Sequence, residues 1–476
     1  MSIILEIGKY LPSVRQPDKN VKFKKRLIWT GLILLVYFLM SETYVIGGIP
    51  EQMDQFQALQ TIMGSEIGTL VTLGIGPIVT ASIILQLLVG SDIIPWDLNS
   101  SMGKQKFQYT QKMLAYIFGL VQSFAFVAMG AIQPMEGMFA LVVAQLTLGA
   151  WLIVLMDEVV SKWGFHSGVS LFILAGVSKT IVIRLLSPLT GGGELWFAVG
   201  GEQPAGALLQ FMTGTFSAAT ISGLIFTIVV FIIAAFASNM RVEIPLTFGN
   251  VRGFGRKWPL KFLYTNVIPV IFVSAIVSNL RLWISVLTNR GLSLSIPLPF
   301  MEEPFYFFGQ FSAEAGSLPN SLIYYFTAPT NLPQAIWNSI TTGSLQLTVP
   351  EILQVFTYTG FYMIGAAVFS VFWMKTSNQD PSSVADQIMN VGMKVPGFRK
   401  DKRVIVKILN RYIPALSVLG GLTIGFLAAL ADFTNAFGTG TGILLAVFIS
   451  FQFYEEIVKK HMEDMHPALR NFMGEF

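Results

Sequence analysis

The run 67–91, IGTLVTLGIGPIVTASIILQLLVGS, carries no charged side chain. It is long enough to cross the hydrocarbon core of a lipid bilayer, which takes about 20 apolar residues. Gly74, Gly76 and Pro77 interrupt the run near one end, where glycine lowers helix propensity and proline removes a backbone donor. Residues 51–66, just before it, are mixed in polarity and bounded by charge. Because an interrupted helix is tolerated at membrane depth only beside protein or a water-filled cavity, we expect this region to line and close a cavity.

The composition indicates the class of protein and excludes several kinds of chemistry. Hydrophobic residues make up 53% of the chain and charged residues only 12%, against about 25% charged residues in soluble domains, so this is an integral membrane protein. The chain has no cysteine, and its three histidines, His166, His461 and His466, are too far apart in sequence to form a metal cluster. The GTGTG motif at 438–442 lacks the lysine of a phosphate loop, and its small residues favour close helix packing instead. We expect no catalytic residue, no metal site and no cofactor.

Charge-free runs predict ten membrane-spanning helices. These runs cover residues 27–47, 67–91, 113–135, 137–156, 163–186, 214–240, 262–283, 352–374, 412–431 and 433–454. All but four of the 31 Lys and Arg residues lie on one side of this topology, the exceptions being Lys179, Arg184, Arg281 and Arg290. This positive-inside pattern predicts that the N-terminal tail, residues 1–26, and the C-terminal tail, residues 461–476, are both cytosolic.

Three connections between the predicted spans carry a structural prediction, and two of them, 285–350 and 375–411, are long. Residues 241–261 alternate basic residues with glycine and β-forming residues, which predicts a hairpin. Residues 375–411 predict a helix from Asp380 through Gln387, followed by the basic turn PGFRKDKR. Protruding loops with clustered arginine and glycine are common docking surfaces for anionic partners, although positive-inside topology explains the charge of these two loops equally well. The outer connection, 285–350, is rich in proline, serine and aromatic residues and either lies on the membrane surface or packs as a small cap.

Two groups of charged residues are candidate sites of chemistry. Asp157 and Glu158 adjoin Lys162 at the cytosolic end of the fourth span, so a solvated helix end or an interhelical ion pair is favoured over acid–base catalysis. Lys179 is a cation within the fifth span, and intramembrane charges are functional candidates by default. Its place near the outer third, followed by Arg184, favours a side chain that reaches toward the surface.

The polar content of the spans separates the classes of transport protein. Proton-coupled and sodium-coupled carriers usually hold acidic residues near the middle of the bilayer, whereas the predicted spans carry aliphatic, Gly, Ser, Thr, Asn or Gln residues there. This favours a passive or externally driven conduit. Two alternatives stay open: a solute carrier, which needs a defined polar site at the midplane, and an insertase or scaffold without a conducting pore.

Seven motifs spread over nearly the whole chain carry a family resemblance. They are IGTLVTLGIGPIVTASIILQLLVG at 67–90, DEVVSKWGFHSGVSLFI at 157–173, MRVEIPL at 240–246, WPLKFLYTNVIPVI at 258–271, GFRK at 397–400, NRYIP at 410–414 and GTGTGILLAV at 438–447. Together they resemble the SecY family of protein-translocation channel subunits in its archaeal form, which is close to the eukaryotic Sec61 form. The resemblance implies an all-α fold of ten helices in two inverted five-helix halves, 27–190 and 191–460, around a central hourglass pore. An odd number of spans in each half agrees with their opposite orientation.

The resemblance implies a ring of aliphatic side chains at the narrowest point of the pore. These ring residues are Ile75 and Val79 on the second span, Val169 and Ile173 on the fifth, Ile268 and Ile271 on the seventh, and Leu445 on the tenth. Branched aliphatic side chains offer no hydrogen bond to water or ions, so a narrow ring of them dewets and resists leakage. Without the resemblance, ordinary helix packing would be the preferred interpretation of each residue.

The resemblance also implies a plug and a lateral gate. The plug is a short helix over residues 55–67 that blocks the pore from outside, and its residues are Gln60, Thr61, Ile62, Met63, Gly64, Ser65, Glu66 and Ile67, with Gly64 and Gly68 as hinges. The gate separates the second and third spans from the seventh and eighth. Its polar residues Thr80, Gln122 and Asn279 either hold this interface closed, or each caps its own helix or faces the pore water.

The partners are implied by the same resemblance. The cytosolic loops 239–261 and 375–411 of the second half, which also contains the outer loop 285–350, would face the ribosome. The expected contacts to rRNA phosphate or acidic protein are Arg252, Arg256, Lys257, Arg399 and Lys402. Further expected partners are the small subunits SecE and Sec-beta, nascent chains that bear signal sequences, and membrane lipid. The expected location is the cell membrane.

Overall fold

The computed structural model describes most of the chain as helix. It describes residues 11–18, 21–50, 67–91, 93–96, 98, 100–128, 132–190, 195–197, 204–214, 218–248, 255–265, 267–289, 295–296, 305–306, 311–312, 316–317, 320–329, 332–342, 348–377, 379–390, 393–394, 401–433, 436–437 and 440–464. Within these residues the helices are α1 (Phe23–Glu42), α2 (Gly76–Gly90), α3 (Ser101–Ala128), α4 (Phe139–Trp163), α5 (Gly168–Leu186), α6 (Ala207–Thr213), α7 (Ala218–Asn239), α8 (Ile268–Asn289), α9 (Leu322–Tyr325), α10 (Leu332–Thr342), α11 (Val349–Thr376), α12 (Pro381–Asn390), α13 (Lys402–Phe433) and α14 (Gly440–Asp464).

The strands of the described residues are short and antiparallel. β1 (Gly48–Pro50) pairs with β2 (Ile132–Pro134), β5 (Ser295–Ile296) with β6 (Phe305–Tyr306), and β7 (Phe311–Ser312) with β8 (Gly316–Ser317). A three-stranded sheet consists of β3 (Arg241–Phe248) between β4 (Gly255–Lys261) and β9 (Met393–Lys394). The hairpin predicted for residues 241–261 is therefore confirmed, and so is the helix predicted after Asp380, which is α12.

Seven described helices, α3, α4, α5, α7, α11, α13 and α14, are long and apolar enough to cross a membrane. α2 and residues 268–281 of α8 are shorter apolar segments. α1 is apolar between the basic residues of its first turn and Glu42 at its end. These ten helices occur where ten spans were predicted, while the arrangement of ten spans in two inverted halves stays a prediction.

Two compact units divide the chain, and the first comprises Met1–Ala81, Tyr109–Leu224 and Phe437–Phe476. In it, α1 packs on α4 and α5, and α5 packs on α4, α6 and α14. Large, almost fully buried side chains from these helices fill its interior, with Leu146 and Ile153 on α4 and Phe172 and Ile173 on α5. The ring of Tyr37 on α1 stacks on that of Phe172 with 5.0 Å between centroids, which fixes α1 against α5.

The second unit comprises Ser82–Gln108 and Ile225–Ala436. α11 and α13 lie in close contact, because a Cβ added at Gly421 would lie 2.8 Å from the carbonyl oxygen of Ala366. At the start of α13, Ile405, Leu409 and Ile413 bury one helix face in a cluster with α12. Tyr264, just after β4, donates a hydrogen bond of 2.8 Å to the carbonyl oxygen of Gln379. This bond ties the hairpin to the segment before α12.

Several helices extend beyond the predicted charge-free runs. α3 starts at Ser101 instead of residue 113, and α13 starts at Lys402 instead of residue 412. Both extensions are polar helix outside the apolar run, and hydropathy reports only the part of a helix that contacts hydrocarbon. The helix of the second span is instead shorter than the predicted run, because residues 67–75 form turns and the helix begins only at Gly76.

Candidate functional site

The turns at residues 67–75 lead into α2 and carry the first ring residue. Gly68 and Gly74 have φ values of 91° and 48°, a region that glycine occupies at little cost. The backbone N–H of Val45 donates to the carbonyl oxygen of Gly68 at 2.8 Å, so the turn is tied to the chain after α1. Ile75 ends this turn and Val79 lies one helical turn later, joined by a hydrogen bond of 3.0 Å from the Val79 N–H to the Ile75 carbonyl. Both side chains are buried.

The N-terminus of α5 positions Val169 and Ile173. The carboxylate of Asp157 on α4 accepts the backbone N–H of Val169 at 2.9 Å, which satisfies a donor at the start of α5. A Cβ at Gly168 would lie 2.5 Å from the Cα of Asp157, so only glycine permits this approach. Asp157 thus caps a neighbouring helix, and Ile173, one turn beyond Val169, is fully buried.

The remaining ring residues lie at two other helices. Leu445 on α14 is fully buried, and α14 packs on α5 within the first unit. Ile268 and Ile271 lie in the first turn of α8 in the second unit, where Ile271 is buried and Ile268 is partly buried. The convergence of all seven side chains on one axis stays a prediction.

The three gate residues have different hydrogen-bond partners. The amide of Gln122 on α3 donates to the hydroxyl of Thr80 on α2 at 3.2 Å, and that hydroxyl donates to the carbonyl oxygen of Gly76 at 2.8 Å. Asn279 donates to the carbonyl oxygen of Ala275 in its own helix, α8, at 2.8 Å. Thr80 and Gln122 therefore join the second and third spans, which belong to the same side of the predicted gate, while the bond of Asn279 is intrahelical.

The plug and part of the predicted ribosome surface lie outside the described residues. Residues 60–66 of the plug are outside them, and Ile67 is buried at the edge of the turn. Arg252 and Arg399 are likewise outside. Backbone pairing places Arg256 opposite Leu246 and Lys257 opposite Pro245 in the hairpin. Lys402, at the start of α13, forms an ion pair of 2.7 Å with Asp386 on α12.

A cluster between the N-terminal half of α3 and the C-terminal end of α4 contains the carboxylate of Glu158. Its carboxylate accepts hydrogen bonds from Lys112 at 2.7 Å, from Lys162 at 2.6 Å and from the backbone N–H of Val14 at 3.1 Å. Of the two alternatives left open for Asp157 and Glu158, the structure shows the interhelical ion pair for Glu158, with Lys112 on α3. The contact with Val14 was not predicted, because no sequence signal connects residues so far apart.

The intramembrane cation Lys179 also has partners that the sequence did not indicate. Its ammonium donates to the carboxylate of Glu42 and, at 3.3 Å, to the hydroxyl of Ser41. Both residues end α1, so Lys179 pairs between helices instead of only reaching outward. Glu42 lies inside the first predicted span, 27–47, and an acidic residue at that place is the sequence signal that could have indicated the pair.

Buried polar groups in the second unit form a further cluster that sequence analysis missed. The hydroxyl of Tyr358 on α11 donates to the carboxylate of Asp432 at the end of α13 at 2.7 Å. The hydroxyl oxygens of Ser274 on α8 and Tyr362 on α11 lie 3.3 Å apart. Hydrogen bonds therefore connect α11 to both α8 and α13.

The helices define a multi-pass membrane protein. The family model of SecY matches residues 69–454. The chain is 36% identical to the protein translocase subunit SecY of Methanococcus vannielii over 99% of each chain, and 37% identical to that of Methanocaldococcus jannaschii over the full length of both. This chain belongs to the SecY family.

Solved structures support the same family at the level of the fold. A structure of a protein conducting channel is similar with a TM-score of 0.81 at 36% identity, covering 98% of this chain and 99% of that chain. Sec61 in the canine ribosome-channel complex is similar with a TM-score of 0.77, also at 36% identity and with the same coverage.

Proposed function

We propose that this chain is the central, pore-forming subunit of a protein-conducting channel in the cell membrane. It passes unfolded polypeptides across the bilayer and releases apolar segments sideways into lipid. The observation that carries this proposal is the similarity to SecY translocase subunits and to a protein conducting channel over almost the whole chain. A channel of this kind performs no covalent chemistry, so the driving force comes from a partner such as an elongating ribosome.

The seven ring residues act as the seal in this mechanism. Because branched aliphatic side chains cannot replace the hydration shell of an ion, a narrow collar of them excludes ions at rest. The same collar deforms around an extended polypeptide without binding it. The plug, residues 55–67, blocks the collar from outside and moves away when a chain enters.

The lateral gate sorts segments by hydrophobicity. An apolar run of about 20 residues is better solvated by lipid than by the wet vestibule, so it leaves between the second and third spans on one side and the seventh and eighth on the other. Polar contacts between membrane helices are worth about 0.6 to 2 kcal/mol each, weak enough for a signal sequence to displace. The Thr80–Gln122 bond keeps one wall of this gate intact while it opens.

The cytosolic loops serve as the docking surface for the ribosome. Arg252, Arg256, Lys257, Arg399 and Lys402 offer positive charge to rRNA phosphate or acidic protein. The small subunits SecE and Sec-beta complete the complex, and both termini lie in the cytosol. Support for the ribosome as a partner comes from the similarity to Sec61 in a ribosome-channel complex.

The test is crosslinking of a stalled nascent chain to single cysteines in the ring. The natural chain has no cysteine, so Ile75→Cys and Ile271→Cys each provide a unique thiol. Ile153→Cys, buried in α4, is the matched control. We expect a secretory chain to crosslink at both ring positions and not at residue 153, while a soluble control protein crosslinks at none. Equal yields at residue 153, or none at either ring position, would contradict the proposal.

A further inference from the structure

One row of side chains on α13 changes from basic to apolar along the helix. Arg403, Lys407, Arg411, Ala415 and Leu419 follow one another at a spacing of four residues, and all five are exposed. Successive members lie about one helical turn apart and rotate by about 40° at each step, so they form a ridge that winds gradually around the helix. This ridge is called the row below. The opposite face of α13 is buried in the cluster with α12, which fixes the direction in which the row points.

The length of α13 places the change of polarity near the membrane surface. A helix of 32 residues is about 48 Å long, whereas the hydrocarbon core is about 30 Å thick. The first turns of α13, which hold all its basic residues, therefore extend into the headgroup region. Tyr412, also exposed, follows Arg411 at the level where tyrosine is enriched in membrane proteins. Leu419, 52% exposed, lies deeper on the same row.

The three basic side chains of the row have no acidic partner within the described part of the chain. Like charges spaced by four residues repel each other, so stacking them on one face costs stability unless a counter-charge is supplied. Lys402 differs, because Asp386 neutralises it at 2.7 Å. Positive-inside topology accounts for basic residues near a span but does not require them to continue into a ridge of exposed apolar residues.

A shallow cleft lies beside the basic end of the row. It has a volume of about 490 Å³ and is lined by Asp401, Lys402, Arg403, Val406, Lys407 and Asn410. The carboxylate of Asp401 accepts the backbone N–H of Arg403 at 2.9 Å. The cleft is large enough for a polar headgroup, and two members of the row, Arg403 and Lys407, line it.

We propose that this row on α13 is a binding site for an anionic phospholipid. The phosphate contacts Arg403, Lys407 and Arg411, the polar part of the headgroup occupies the cleft, and an acyl or isoprenoid chain lies along Ala415 and Leu419. An RNA or acidic protein would satisfy the charges, but it would leave the apolar end of the row unexplained. A lipid satisfies both ends at once.

The experiment counts the lipids that stay bound to the full chain, purified with any subunits that accompany it. Native mass spectrometry compares retention of phosphatidylglycerol with retention of phosphatidylcholine. The test variant is Arg403→Gln/Lys407→Gln/Arg411→Gln. The control variant, Lys24→Gln/Lys25→Gln/Lys104→Gln, removes the same charge from exposed residues on α1 and α3.

We expect the natural chain and the control variant to retain phosphatidylglycerol in preference to phosphatidylcholine, and the test variant to lose that preference. Each removed charge should weaken binding about fivefold, the factor that corresponds to roughly 1 kcal/mol per basic residue near an anionic surface. The variant Arg403→Lys/Arg411→Lys keeps all three positive charges and should keep the preference for phosphatidylglycerol. If the triple variant fails to fold, the single change Lys407→Gln should still give the fivefold loss.

Three outcomes would overturn the proposal. The first is unchanged retention in the test variant, and the second is an equal loss in the control variant. The third is a test variant that keeps its anionic lipid but no longer co-sediments with ribosomes, which would assign the row to RNA binding.

Discussion

The side-chain amide of Gln122 on α3 donates a 3.2 Å hydrogen bond to the hydroxyl of Thr80 on α2. We expect the double substitution Thr80→Val/Gln122→Leu to lose less stability than the sum of the single changes, with a coupling energy of about 0.6 kcal/mol. Reversible unfolding in mixed detergent measures this cycle. As a control, Thr80→Val is combined with Thr180→Val, whose hydroxyl donates within α5 to Gly176. Coupling of equal size in the control pair would mean that the Thr80–Gln122 bond contributes nothing specific.

Ile173 provides a test of the seal. Ile173→Ala opens a cavity at a ring position, so we expect a higher ion conductance of the resting channel in planar bilayers. Ile153→Ala on α4 removes the same atoms from an equally buried site. Both variants should lose about 2 to 5 kcal/mol of stability, and only Ile173→Ala should leak. Similar conductance in the two variants would show that the leak follows destabilisation in general.

Deletion of residues 60–66 tests the plug. Because the plug blocks the pore without forming its wall, we expect translocation to persist while resting conductance rises. Planar-bilayer recordings and a translocation assay on the same preparation separate the two effects. Unchanged conductance would argue against a plug in this segment.

The hairpin formed by β3 and β4 tests ribosome docking. We expect Arg256→Glu/Lys257→Glu to weaken co-sedimentation with ribosomes and to reduce its dependence on salt concentration, since each lost phosphate contact lowers the salt slope by about one. Lys24→Glu/Lys25→Glu, an adjacent basic pair on α1, makes the same charge change elsewhere and should have the smaller effect. Equal effects would indicate attraction by net charge alone.

Glu158 tests the attachment of the N-terminal segment. Glu158→Gln leaves Lys112 and Lys162 without their carboxylate and weakens the bond to the N–H of Val14. Hydrogen bonds to charged groups contribute about 1.5 to 3 kcal/mol, so we expect faster tryptic cleavage at Arg15. Glu136→Gln, at an exposed site, is the control. Cleavage at the same rate in both variants would contradict this role.

The sequence predicted those elements whose formation depends on residues that are neighbours in the chain. The hairpin at 241–261 was predicted because alternation and glycine placement are properties of neighbouring residues. The starts of α3 and α13 were missed, because a charged helical extension lowers hydropathy without ending the helix. The interruption near Gly74, Gly76 and Pro77 was predicted, and α2 begins at Gly76. The turns reach back to residue 67, which was not predicted, since this part depends on a hydrogen bond from Val45 to Gly68.

The site residues also divide into those that the sequence indicated and those that only the folded structure brings together. The family resemblance implied Thr80 and Gln122, which are in contact, whereas the pairing of Lys179 with Glu42 joins residues 137 positions apart. No single-sequence pattern encodes such a distance. Contacts of this kind follow from which helix faces pack together, and that choice is made only in the folded chain.

The bond between Val14 and Glu158 joins residues 144 positions apart. Pro12 and Arg15 also offer their carbonyl oxygens to late partners, Tyr116 at 3.3 Å and Trp163 at 2.9 Å. During synthesis the N-terminal residues therefore leave the ribosome first and have no complete set of partners until α4 has been made. Their attachment is a late event that reports the completed insertion of α4.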